Sequence, residues 1–330
     1  MVIMEFKETN YKVENIASIE KLEDFDDEYV YDMEVDDTHM FFANDVLVHN
    51  SVYAEFGRVC KYLNVPIEKQ PKFCVDMWNY SLGPFMNNKY ELYAKKYNCD
   101  KNLQVLELEK LSDVTLYFAK KRYAMSECWK EPNIYLPYMS KVIYKGLEIV
   151  KGSTSSYARE CMEDFVKAVL NWYGEHDEKM PLDMLQTRLK KYKNIFSTKS
   201  PDEICSGSSI GDYEKFILDD KKNFTIADKC PAHVQAAGVY NFLLNQPKNK
   251  KYKVKYTPIK SADKVKWYYT TDKNYKVFAY LPGEFPIEFK LNIDYETMFD
   301  KTILTFCNKV LEICGHSPMT TQLCYSAALF

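Results

Sequence analysis

Three consecutive residues in this 330-residue chain, His49, Asn50 and Ser51, carry the makings of a bond that breaks itself. An asparagine side-chain amide can attack its own backbone carbonyl, closing a succinimide and cutting the chain after itself. The reaction is slow unless a neighbour donates a proton to the leaving amine and the geometry is held fixed. His49 is suited to that donation, because an imidazole titrates near pH ~6.5. The Ser51 hydroxyl becomes a nucleophile once a base or carboxylate assists it.

Such a tripeptide acts only if the chain before it holds it still. Tyr31, Met33 and Val35 alternate with Asp32, Glu34 and Asp36, the period of a half-buried strand. Asp36-Asp37-Thr38 is turn material. Met40-Phe41-Phe42 forms a second apolar run, and Asn44-Asp45 punctuates a hairpin before Val46-Leu47-Val48. A small β unit therefore delivers His49-Asn50-Ser51 at the end of its last strand.

Taken together these blocks resemble the C-terminal end of an intein. VYDMEVDDTHMFFAND, with Asp32 and His39 seven residues apart, matches the penultimate block of that family, and VLVHN followed by Ser matches its last. The resemblance covers residues 1–50 and implies a small all-β, Hint-type fragment. It also implies roles: Ser51 takes over an acyl chain with assistance from Asp32, and Asn50 cyclises with help from His49 and His39. Only 49 residues precede Asn50, too few for the remainder of such a fold, so the expectation is a split intein whose N-terminal piece sits on another polypeptide. A clipped fragment whose Met1 is not the true start is the alternative.

Composition sets the outer bounds. Apolar residues make up 46%, ordinary for a folded chain, and the length allows about two domains. Aromatic residues, 27 of them tyrosine, imply extensive packing or contact surface. No apolar run approaches the roughly 20 residues of a membrane span, and the start lacks a signal-peptide pattern. A cytoplasmic location is expected, with no membrane partner. The ten cysteines include no Cys-x-x-Cys pair, which argues against structural zinc and a disulfide framework. Charge is unevenly spread: residues 1–50 hold 14 acidic and 3 basic side chains, the remainder 33 and 41. The acidic leader, densest at residues 20–28, suits a basic mate and would steer its approach. The basic remainder is compatible with nucleic acid.

From Ser51 onward the pattern changes. Val52, Ala54 and Phe56 alternate before a turn at Gly57; residues 73–96 have helical spacing broken at Gly83-Pro84; residues 103–108 and 114–123 read as strands. The second of these ends in Lys120-Lys121-Arg122-Tyr123, where Lys and Arg can neutralise phosphate and Tyr can approach a groove edge. Glu107 and Glu109, two apart, would share one face of the first. Further on, residues 157–173 and 182–196 carry apolar stripes at helical spacing, the first behind a Ser/Thr-rich entrance suited to capping. Lys229-Cys230-Pro231-Ala232-His233 opens another helix, with Pro231 fitting its first turn. Residues 252–280 alternate strand-like segments with basic loops, and residues 295–314 form a last amphipathic helix.

Residues 51–330 resemble the late palm and thumb of a phage-type family B DNA polymerase. The resemblance is strongest at Ser51-Val52-Tyr53, Lys120–Tyr123 and residues 228–233, with the run from Lys145 to Gly152 matching the palm-to-thumb passage. In that family Asp-Thr-Asp immediately precedes Ser-Val-Tyr and holds the metal ions, so those aspartates would lie on the other polypeptide. The resemblance implies primer-template contacts by Lys120, Lys121, Arg122 and Tyr123, and phosphate contacts by Lys229 and His233; His233 reads equally as a packed helix residue. It also places Glu107 and Glu109 near the metal centre, and docks a tail such as Leu329-Phe330 on a sliding clamp. The segment between Glu109 and Lys120 is shorter than in the family, and the tail departs from its fuller aromatic pattern.

The expected fold class is α+β, with a split-intein fragment at 1–50, the palm remainder at 51–152 and a mainly helical thumb at 153–330. The expected function is protein trans-splicing to yield a DNA-directed DNA polymerase. The partners would be an N-terminal polymerase half carrying the intein N-fragment, and primer-template DNA. Splicing needs no cofactor, whereas the assembled polymerase would use Mg2+, with no metal site in this chain itself. A rival reading is a non-splicing DNA-binding or clamp-associated fragment with an inert leader.

Overall fold

The computed structural model describes residues 40–43 and 46–49 as backbone, and residues 55–99, 101–102 and 105–321 in full. The chain divides into two compact units, Met1–Glu107 and Leu108–Phe330.

In the first unit, β1 (Met40–Ala43) and β2 (Val46–His49) pair antiparallel, with Met40 opposite His49 and Ala43 opposite Val46. This is the hairpin expected around Asn44-Asp45, set by two short apolar runs with two residues between them. Helix α1 (Gly57–Tyr62) begins where the sequence suggested a turn. Helices α2 (Gln70–Met77) and α3 (Gly83–Lys96) are joined by a wider π-type turn, Trp78–Leu82, rather than by a break. Pro84 brings no N–H to the α ladder, and the looser register absorbs that loss. Of the strand expected at 103–108, residues 105–108 are not strand, and 103 and 104 lie outside the described residues. Asn87 takes the Leu106 backbone instead: Leu106 N–H donates to Asn87 Oδ1 at 2.8 Å, and Asn87 Nδ2 donates to the Leu106 carbonyl at 3.1 Å.

The second unit opens with a sheet of β3 (Lys110–Ala119), β4 (Arg122–Lys130), β5 (Ile134–Tyr135) and β6 (Val142–Lys145), in which β4 pairs with all three others. The single strand expected at 114–123 is therefore two, because the chain reverses at Lys120-Lys121. Helix α4 (Ser156–Glu175) starts at Ser155, whose hydroxyl accepts from the Ala158 N–H. Its buried face, Tyr157, Cys161, Phe165 and Val169 among others, is the stripe legible in the sequence. Helix α5 (Leu182–Phe196) buries Leu185, Leu189, Tyr192 and Phe196, and Arg188 and the Tyr192 hydroxyl both reach Asp164 on α4.

Short α6 (Pro201–Ile204), capped reciprocally by Ser200 and Glu203, leads to β7 (Ser206–Ser209). Then come α7 (Tyr213–Phe216), a hairpin of β8 (Ile217–Asp219) and β9 (Thr225–Ile226), and α8 (Ala232–Asn245). Strands β10 (Lys264–Tyr269) and β11 (Val277–Tyr280) complete a sheet ordered β11-β10-β7, followed by α9 (Tyr295–Phe299) and α10 (Thr305–Ile313) with a π-type turn between them. Residues 153–330, expected to be mainly helical, thus also carry a three-stranded sheet. Val265, Tyr268, Val277, Phe278 and Tyr280 are buried β-formers, and they build a sheet against α8.

One apolar core runs through this unit, from Leu116 and Ala124 on the first sheet to α4, α8, β11 and α10. Phe118 of β3 stacks on Phe306 of α10 with centroids 5.5 Å apart. Asn241, buried in α8, holds the core's polar centre: its Nδ2 donates to the Tyr213 hydroxyl and the Ile259 carbonyl, both at 2.8 Å, and its Oδ1 accepts from Ile259 N–H at 2.9 Å. Asn241→Leu strands these groups away from water and is expected to cost roughly 3 kcal/mol. Urea unfolding checks this, and a loss below about 1 kcal/mol would refute the role given to Asn241.

Candidate nucleic-acid interface and splice junction

The β1–β2 hairpin ends at His49, so the backbone of the first candidate site is fixed up to the residue before Asn50. Met40 and His49 form the last described rung of this ladder, and His39 and Asn50 are their covalent neighbours. Asp32, His39, Asn50 and Ser51 lie outside the described residues, as does the side chain of His49.

The second site is the tip of the β3–β4 hairpin. Ala119 pairs with Arg122, which makes Lys120 and Lys121 its two-residue loop, and Lys121 adopts a left-handed φ of 58°. Gly146 enables this turn. At a φ of +62° it lies so close that an added Cβ would sit 2.5 Å from the Lys121 carbonyl oxygen. Arg122 then closes the back of the hairpin: its Nε donates to the Gly146 carbonyl at 3.1 Å, and its Nη2 to both carboxylate oxygens of Glu148 at 2.8 and 2.7 Å. Lys309 of α10 meets the same carboxylate at 3.4 Å. Burial pushes the Glu148 carboxyl up, but its own backbone N–H, Lys309 and Arg122 outweigh that, and its pKa falls below the ordinary value.

Within the tetrapeptide the roles divide. Lys120 and Lys121 present exposed cations at the tip, Arg122 is engaged by Glu148, and Tyr123 is half-buried beside Tyr117 with rings 6.3 Å apart. Sequence reasoning named the four together and missed Glu148 and Lys309. The available signal was Glu148 as the one charged residue between Lys145 and Lys151.

Lys229 stands exposed in a tight turn, also with left-handed φ (58°), just ahead of α8. Pro231 caps that helix rather than entering its first turn. His233 is half-buried, and burial holds its imidazole below the ordinary range, favouring the neutral ring near pH 7. Glu107 and Glu109 are exposed on irregular backbone, and Glu109 pairs with Lys110 at 2.8 Å. Among the described residues no group of three His, Cys, Asp or Glu side chains is placed to hold a metal ion. Among them, too, no helix is long and apolar enough to cross a membrane.

The hairpin geometry yields a pH-dependent expectation. A carboxyl whose pKa is lowered by folding stabilises the fold above its unfolded value and loses that contribution as pH falls through the folded one. Glu148→Gln should therefore cost about 2 kcal/mol at pH 7, and the gap to wild type should narrow as pH drops below the usual carboxylate range. Thermal melts across that range check it; a pH-independent gap would show that the Glu148 charge is not what holds Arg122.

No family model matches the chain. The chain is similar to the DNA polymerase of Thermococcus litoralis, with 29% identity over 160 residues, 47% of this chain and 8% of that protein. It is similar to the DNA polymerase of Thermococcus hydrothermalis, with 28% identity over 185 residues, 55% of this chain and 9% of that protein. A shorter similarity, 45% over 53 residues, links it to the glutamine–fructose-6-phosphate aminotransferase of Methanocaldococcus jannaschii, covering 16% of this chain and 4% of the enzyme. The chain thus spans less than a tenth of the length of the curated relatives it matches. About half of it is related, at this modest level, to DNA polymerases.

Proposed function

We propose that the chain is a splicing precursor that contributes the late palm and thumb to a family B DNA polymerase. Two observations support its two halves. The described hairpin ends one residue before Asn50-Ser51, as a cleavage site held by a strand requires. The polymerase similarities cover about half the chain, and the Lys120–Lys121 loop presents two exposed cations on a braced hairpin.

In the splicing half, residues 1–50 pair with a complementary intein fragment on a second polypeptide, and the strongly acidic leader favours a basic partner. The first residue of the partner's fragment carries the upstream protein as an ester or thioester. Ser51 Oγ, assisted by Asp32, attacks that carbonyl; the acyl chain moves to Ser51, and the partner's first residue leaves and is protonated. The Asn50 side-chain nitrogen then attacks the Asn50 carbonyl, with His49 and His39 aiding proton transfer. The peptide bond to Ser51 breaks, the succinimide leaves with residues 1–50, and the freed Ser51 amine takes the acyl chain from its own oxygen. Serine is a weaker nucleophile than cysteine at neutral pH, so the assistance carries more weight.

In the polymerase half, Lys120 and Lys121 meet primer-template phosphates, Tyr123 approaches the duplex and Lys229 adds a phosphate contact. Mg2+ would be held chiefly by carboxylates of the joined polypeptide, where it would neutralise charge on the transferring phosphate. The exposed Glu107 and Glu109 do not form such a site on their own.

Coexpression with the complementary polypeptide tests the junction. Asn50→Ala should block release of residues 1–50, Ser51→Ala should block ligation, and full ligation by either variant would overturn the assignment. For the second half, Lys121→Ala should weaken primer-template binding several-fold and flatten its salt dependence; unchanged affinity would remove the hairpin from the interface.

A further inference from the structure

The structure gathers a second cluster of cations that the sequence leaves in separate places. Lys248, Lys250, Lys251 and Lys253 stand exposed on the 3-10 turn Pro247–Val254, directly after α8. Lys221 and Lys222 stand exposed at the tip of the β8–β9 hairpin. Asn245, the last residue of α8, joins the two: its Oδ1 accepts from Lys253 Nζ at 2.7 Å, and its Nδ2 donates to the Asp220 carbonyl at 3.2 Å. Buried Asn249 pins the turn back onto α8 by donating to the Leu243 carbonyl at 2.8 Å.

The acids nearby are committed to the protein's own donors. Asp219 accepts three backbone N–H groups, from Lys221, Lys222 and Asn223, which together hold its carboxyl below the ordinary range. Asp220 accepts the Tyr213 hydroxyl at 2.6 Å. Further along the chain Lys255 is paired with Glu288 at 2.7 Å, which marks the edge of the cluster.

We infer that these six lysines form a second phosphate-tracking surface for the DNA held by the polymerase half, distinct from the Lys120–Lys121 loop. This rests on the polymerase reading above. The β8–β9 hairpin runs along α8: the Ala227 N–H bonds the Phe216 carbonyl at its base, and Asn245 holds its tip. Lys229 lies at the opposite end of α8 from the cluster. The 14 residues of α8 make that separation about 21 Å, at 1.5 Å per residue. A nucleic-acid strand advances about 3.4 Å per nucleotide, so cations at both ends would follow one backbone for roughly six nucleotides. Lysine ammonium groups are compact point charges without the planar fork that reads base edges, so the surface binds without sequence preference.

Fluorescence anisotropy of the full chain with a labelled primer-template duplex, titrated across salt, tests this. Lys248→Gln/Lys250→Gln/Lys251→Gln, and separately Lys221→Gln/Lys222→Gln, should each weaken binding about three- to tenfold at low salt. Each should also make the log–log salt slope shallower by about 0.9 for every phosphate that is no longer neutralised. Circular dichroism confirms that the variants fold. Unchanged affinity and slope in both, while Lys121→Ala still weakens binding, would overturn this surface and leave the polymerase reading standing. Absence of duplex binding by the wild-type chain would overturn both. Displacement of the duplex by polyglutamate at equal charge concentration, lost in the same variants, would assign the surface to an acidic polypeptide instead.

Discussion

The ion pair between Arg122 and Glu148 is the constraint on which the second compact unit of this chain turns. It fixes the β3–β4 hairpin to the segment after β6, and through Lys309 it reaches α10. With that brace in place the two-residue loop can hold Lys121 in a left-handed conformation and keep two ammonium groups exposed. Arg122 Nη2 donates to both carboxylate oxygens, so the group is restrained in direction as well as distance, and its partial burial shields it from salt. Gly146 is the steric counterpart of the same brace, because any side chain there would collide with the loop carbonyl.

A structural brace and two exposed cations thus occupy four adjacent residues. Lys120 and Lys121 are exposed, whereas Arg122 is held by Glu148 and Tyr123 is half-buried beside Tyr117. Similar economy appears around α8, where Asn241 orders the core and Asn245 orders the surface. One amide ties Tyr213 to Ile259, and the other ties Lys253 to the β8–β9 turn. Both arrangements place positive charge on hydrogen-bonded backbone, which would lower the entropy lost in the polyanion binding proposed above.

Much of this was legible in the sequence where periodicity is strong. The stripes of α4 and α5, the Ser155 entrance and the β1–β2 hairpin all follow from local pattern. The parts that were not legible depend on partners far along the chain. Residues 105–109 have strand-like composition, yet Asn87 captures the Leu106 backbone. The reversal at Lys120-Lys121 lacks the usual Asn-Gly signal because the glycine that makes room for it is residue 146. Glu127 is fully buried in β4 and answered by Lys141 at 2.6 Å, a pairing no local window reveals. The lysine cluster at the end of α8 arises in the same way, from a hairpin tip and a 3-10 turn brought together by one asparagine.

The account stands on the bond between Asn50 and Ser51. The most direct measurement is intact-mass spectrometry of the full chain after mixing with a polypeptide that carries the complementary intein fragment. The account expects residues 1–50 to leave as a species lighter by one water than the free acid, its end closed as a succinimide, while residues 51–330 appear joined to the upstream protein. Recovery of both polypeptides at their starting masses under folding conditions would contradict it.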